Sequence, residues 1–92
     1  MREKGWWVVV ASFLEASPSE KTRQTGAMIA RLAPCGFEPL NDASSKFSGF
    51  RPGFTTFVLG AYPTRKRAEQ VKKAVSACAP SAYLRQGAYA GE

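Results

Sequence analysis

Gly5-Trp-Trp-Val-Val-Val-Ala-Ser-Phe13 and Gly53-Phe-Thr-Thr-Phe-Val-Leu-Gly-Ala-Tyr62 are two versions of one phrase. Each is a short apolar run rich in β-branched and aromatic residues, the composition of a strand. Each meets Ser/Thr and Pro punctuation soon after: Ser17-Pro18 in the first half, Pro63-Thr64 in the second. Each is followed by a polar helical stretch, a Cys beside or near a Pro, and a second short apolar segment. A loosely repeated strand–helix–strand unit restricts the fold to few choices.

Ser17 is placed to cap a helix from Pro18 to about Ala33, with Glu20 completing a capping box. Thr25, Met28, Ile29 and Leu32 share one face of it. Gly26 weakens this helix and offers a close approach to the sheet. Phe37 to Leu40 reads as a short strand, and Pro39, having no N–H, puts it at a sheet edge. Asn41 to Gly53 reads as a loop, with Asn41 and Asp42 in a turn. Phe54 to Leu59 is the second long strand. Thr64 caps a helix from about Arg65 to Ala77, with Ala68, Val71, Val75 and Cys78 as its buried stripe. Ala82 to Arg85 is the last strand. Residues 1–5 read as a leader and 87–92 as a tail.

The order is therefore β-α-β-β-α-β. Two such split units make an α+β, ferredoxin-like domain over residues 6–86: a four-stranded antiparallel sheet with both helices on one face and the long strands central.

Ninety-two residues make one domain, 45% apolar and 22% charged, the balance of a globular chain. No apolar run approaches the ~20 residues of a membrane span, and the first is too short for a signal peptide. The first strand begins almost at the first residue, so the chain is expected to belong to a longer or processed protein. Net charge is +6, which favours anionic partners without naming one; solubility is the plainer use.

In this order the residues resemble a family. Trp7-Val-Val-Val-Ala-Ser-Phe13 is similar to the opening strand of a SPOR (sporulation-related repeat) domain. Val58-Leu-Gly-Ala-Tyr62 and the following Pro-Thr-Arg-Lys-Arg-Ala-Glu69 look like its third strand and second helix, and Ala82-Tyr-Leu-Arg85 like its closing strand. The resemblance covers about residues 6–85. It implies a non-enzymatic bacterial domain in the periplasm or cell envelope, contacting peptidoglycan glycan with the sheet face away from the helices. Val9 and Val58 stand where the family usually keeps polar contacts. A sugar hydroxyl buried without a partner costs roughly 1–3 kcal/mol, so glycan recognition on that part of the face is expected to be altered.

Strand alternation turns Val8, Val10, Phe57 and Leu59 toward the helices, and Trp7, Val9, Thr56 and Val58 away. The outer face is then also apolar and calls for a cover. The loop or tail, an envelope protein partner, a second copy in a homodimer, or a ligand would each serve. Lys46-Phe-Ser-Gly-Phe-Arg-Pro-Gly-Phe54 interleaves Phe with cations. Such a loop can stack on rings and hold anions, or fold back as a lid. The candidate contact residues are Trp7, Val9, Ser12, Lys46, Phe47, Phe50, Arg51 and Val58.

Arg65, Lys66, Arg67, Lys72 and Lys73 spread over the exposed face of the second helix. The first-turn cations sit at the unfavourable end of the helix dipole. The antiparallel helices of this topology would hold Cys35 and Cys78 at opposite ends, too far apart to bridge. The chain has no His, hence no imidazole acid–base pair or imidazole metal site. It has no phosphate-cradling Gly motif either. No cofactor and no catalytic role are expected. An RRM-like nucleic-acid-binding domain would share this topology and charge. It is the lesser reading, because Thr55 to Gly60 lacks the expected Lys/Arg-Gly-Phe/Tyr pattern. An assembly or regulatory module of a larger protein is the third.

Overall fold

The structure, a computed structural model, describes residues 4–90. The elements are β1 (Lys4–Leu14), α1 (Pro18–Leu32), β2 (Leu40–Ala43), β3 (Phe54–Tyr62), α2 (Arg65–Val75) and β4 (Tyr83–Ala88). The strands form one antiparallel sheet in the order β2-β3-β1-β4. The fold is the expected α+β, ferredoxin-like one, with the long strands central and the short ones outside. No helix among the described residues is long and apolar enough to cross a membrane.

Both helices start where the sequence places a cap. Ser17 Oγ accepts from Glu20 N at 3.3 Å, and Thr64 Oγ1 from Arg67 N at 3.1 Å. Glu20 does not reach back to the cap; its carboxylate pairs with Arg23, whose hydrogen bonds hold the Glu20 pKa below the usual carboxylate range. The helix-side core joins Val8, Val10, Phe57 and Leu59 to Met28 and Leu32 of α1 and to Ala68, Val71 and Val75 of α2. Ile29 is exposed instead of buried, and Gly26 faces open space, not the sheet.

Simple alternation fails once along β1, with consequences for the site. Val9 pairs with Val58, but the next partners are Ala11 and Phe57, so Val10 is an extra residue in a bulge. Val8, Val10, Ala11 and Phe13 all join the helix side. Downstream of the bulge the opposite face falls to Ser12, which pairs with Thr56.

Several boundaries differ from the sequence reading: β3 runs to Tyr62 instead of Leu59, and α2 ends at Val75, short of Ala77. The edge strand begins after Pro39, at Leu40, and takes in Asn41 and Asp42, which therefore make no turn. Phe37 does not extend the strand because its N–H returns to Leu32 O at 3.4 Å while its ring packs on the core. At the chain ends, Lys4 and Gly5 pair with Ala88 and Gly87, so residues 4–5 and 87–88 are strand. Residues 1–3 and 91–92 of the expected leader and tail lie outside the described residues.

The largest correction concerns the cysteines. Cys35 and Cys78 form a disulfide, with Cα atoms 6.4 Å apart. A tight 3₁₀ turn, Ala33–Cys35, carries the chain past α1, and Cys78 lies three residues past α2. The C-terminal ends of the two helices converge instead of lying at opposite ends of their layer. Arg31 Nε donates to Cys78 O at 2.8 Å across the same junction. The bridge spans 43 residues, a loop whose closure is worth about 4 kcal/mol in the chain-entropy account. For a domain this small that is a large share of total stability. The double variant Cys35→Ser/Cys78→Ser is expected to lose about 3–4 kcal/mol in urea unfolding. A midpoint equal to that of the oxidised parent would show that the bridge does not hold the helices.

Candidate functional site

The helix-free face of the sheet divides into a closed half and an open half. Trp7, Val9, Val58 and Ala61 form the floor of the closed half. The chain between β2 and β3 crosses it: a 3₁₀ turn, Ser44–Lys46, delivers Phe47 onto that floor, where it is 2% exposed. Phe47 meets Trp7 edge-on with ring centroids 5.2 Å apart, stacks on Phe50 at 4.7 Å and lies against Tyr89 at 4.8 Å. Each such aromatic pair contributes about 0.5–1.5 kcal/mol beyond its buried area. The buried indole N–H of Trp7 donates to Gly87 O at 3.0 Å.

The cover is stitched to the end of β4. Phe47 and Tyr89 form an isolated bridge; Ser48 N donates to Ala88 O at 2.9 Å and Ala90 N to Lys46 O at 2.8 Å. The Tyr89 hydroxyl donates to Asp42, whose carboxylate also pairs with Lys46 at 3.7 Å. Gly87 makes the approach possible, because a Cβ there would lie 2.1 Å from Ser48 O. The closed half of the outer face is thus covered by the loop and the residues after β4.

The open half lies beyond the bulge. A shallow cleft of about 180 Å³ is lined by Ser12, Ser44, Phe50, Arg51, Phe54, Thr56, Tyr83 and Arg85. Tyr83 and Arg85 pair with Val9 and Trp7 and therefore share the outer face. The Arg85 guanidinium lies over the Tyr83 ring, 5.6 Å from its centroid. Tyr83 is 43% exposed. Ser44 is buried, its Oγ accepting from Phe54 N at 3.1 Å, and so fixes the start of β3. The cleft offers two guanidinium groups, the exposed Ser12 hydroxyl and exposed aromatic surface, with no carboxylate in its lining; Thr56 lies buried at its base. Such a set suits a polar ring compound bearing hydroxyl or anionic groups.

The structure sorts the candidate residues. Ser12, Phe50 and Arg51 line the cleft. Trp7, Val9 and Val58 are shut under the cover, Phe47 is its buried inner side, and Lys46 stands on its outside. Tyr83 and Arg85 were not among the candidates. Their signal was the alternation in Tyr83-Leu-Arg85, readable only once the register against β1 was known. Among the described residues, no group of three or more His, Cys, Asp or Glu could hold a metal ion. The basic residues of α2 lie on the opposite layer, where Arg65 covers Trp6 at 5.6 Å and pairs with Glu69 at 3.4 Å. Comparison with protein-family models, with curated proteins and with solved structures finds no match.

Phe47→Ala is expected to cost about 3–5 kcal/mol and to shift tryptophan emission to the red as Trp7 becomes wet. Unchanged emission and stability would mean that Phe47 is not the closing residue.

Proposed function

We propose that this chain is a non-enzymatic, SPOR-like binding domain of a bacterial envelope protein, contacting peptidoglycan glycan through the open half of its outer face. The observation that carries the reading is the exposed Tyr83–Arg85 pair beside Ser12 and Arg51, on the face away from the helices. A sugar ring needs an apolar surface to lie on and hydrogen-bond partners at its rim; Tyr83 supplies the first, and the guanidinium and serine groups the second. The strand and helix motifs of the sequence support the family, and the sheet with both helices on one side supports its architecture.

The disulfide supports a periplasmic or other extracytoplasmic setting, since such bridges persist where thiols are oxidised. The closed half explains how Val9 and Val58 fit this reading: both are buried beneath Phe47, so glycan contact moves along the sheet to the polar half. Thr56 and Val58, the outward residues of β3, are buried, which leaves an RRM-type stack of bases little central surface.

Amidase-treated sacculi should retain the domain better than intact sacculi, and the Tyr83→Ala/Arg85→Ala variant should lose most of that difference. Equal retention on both kinds of sacculi would end the glycan reading. A strongly salt-dependent complex with single-stranded RNA would replace it by the nucleic-acid one.

A further inference from the structure

β1 outruns β4, the strand on one of its edges. It pairs with β3 as far as Leu14, but with β4 only from Lys4 to Val9, because β4 begins at Tyr83. Beyond Val9 one edge of β1 has no strand beside it among the described residues. Glu15 N donates to Gly53 O on the β3 side at 3.2 Å. Alternation along the strand then turns the backbone N–H and C=O of Ser12 and Leu14 toward the open edge. No backbone bond to them from that side is found among the described residues.

The edge is also a groove. Val9 to Phe13 form one side, Arg31, Ala79 and Ser81 the other, and Tyr83 closes one end, around a space of about 350 Å³. The far wall is rigid: the disulfide fixes Cys78, Arg31 holds its carbonyl, and Ala82 N donates to Ala79 O at 3.1 Å. Leu14, at the open end, is 72% exposed.

Exposed strand edges are normally blunted by shortness, charge, proline or a cover. The outer edge of β2 is four residues long and preceded by Pro39. β4 carries Arg85, and the chain beyond it is stitched to Lys46–Ser48. Val10-Ala-Ser-Phe-Leu14 has neither charge nor proline. The bulge lies at its start, and from Ala11 onward the pairing with β3 is regular.

We propose that the Val10–Leu14 edge is a strand-addition site for an extended, acidic peptide segment of a partner protein. The unpaired main-chain groups specify an extended peptide. The charge follows from the surroundings: Arg31 lines the groove, Arg85 lies over Tyr83 at its end, and the chain carries +6 overall. The same charge opposes pairing with a second copy. This site adjoins the glycan cleft: Ser12 and Tyr83 border both, and the main-chain edge of β1 belongs to the groove alone.

The test titrates acetyl-Asp-Thr-Val-Thr-Val-Asp-amide into the labelled domain, with amide exchange followed residue by residue. Binding is expected with Kd of roughly 100 µM, slowing exchange at Ser12 and Leu14 at least ~10-fold. The same peptide N-methylated at every backbone nitrogen, and one with lysines in place of its aspartates, should each bind ~10-fold more weakly or worse. Ser12→Pro removes an edge N–H that the fold does not use and should abolish binding with the sheet intact; Ser12→Ala, which keeps that N–H, should bind normally. No binding, equal binding of the N-methylated peptide, or protection confined to other residues would each overturn the site. So would a concentration-dependent dimer that protects the same amides without peptide, since the occupant would then be a second copy. Glycan retention by Ser12→Ala is scored separately, so failure of either reading leaves the other standing.

Discussion

Phe47 lies on Trp7, and the layout of the outer face follows from that contact. β1 and β3 are apolar on both sides, so the sheet must bury two faces with two helices that cover only one. The second cover comes from the chain between β2 and β3. A single aromatic residue cannot hold such a crossing in water. It works here because Phe50 and Tyr89 flank it and because main-chain bonds tie the crossing to the end of β4. Those bonds require the backbones to touch, and Gly87 is where they do.

The cover is short, and its shortness creates the site. It closes over Trp7, Val9, Val58 and Ala61, then rises through Phe50 and Arg51 to the start of β3. Past that point the sheet is polar: the Val10 bulge brings Ser12 to the outer face opposite Thr56. Without that extra residue, alternation would have continued from Trp7 and Val9 through Ala11 to Phe13, and the open half would have been apolar too. The bulge therefore hands Ala11 and Phe13 to the core and leaves a hydroxyl at the cleft.

Periodicity and caps made the framework legible from sequence. Ser17 and Thr64 began their helices, Ala68, Val71 and Val75 faced the sheet, and Pro39 marked an edge. These are local signals, carried by residues within a few positions of one another. What escaped was non-local. The bulge at Val10 is defined by its partners on β3, and nothing in Val8-Val-Val-Ala11 marks the extra residue. Residues 87–90 looked like a tail because their partners lie 40 positions away at Lys46–Ser48. The cysteines were kept apart by idealised antiparallel helices, but α1 and α2 bring their C-terminal ends together and the turns beyond them finish the approach. Tyr83 and Arg85 are missed for the same reason: their face is set by pairing with Val9 and Trp7.

The same bulge and the late start of β4 place the cleft and the open edge side by side. Ser12 presents its side chain to the cleft and, by alternation, its main chain to the groove. A strand added there would continue the sheet beyond β1, in line with β4. Its outward side chains would stand next to Tyr83 and Ser12, because outward residues on neighbouring strands lie about 5 Å apart. An added peptide would therefore enlarge the polar half of the face and raise a new wall along the cleft. The turn that stops β4 from filling this space follows α2, where Cys78 is tied to Cys35. The disulfide and the Arg31–Cys78 hydrogen bond hold the end of α2 against the end of α1, and Arg31 and Ala79, on either side of that junction, form the wall of the groove.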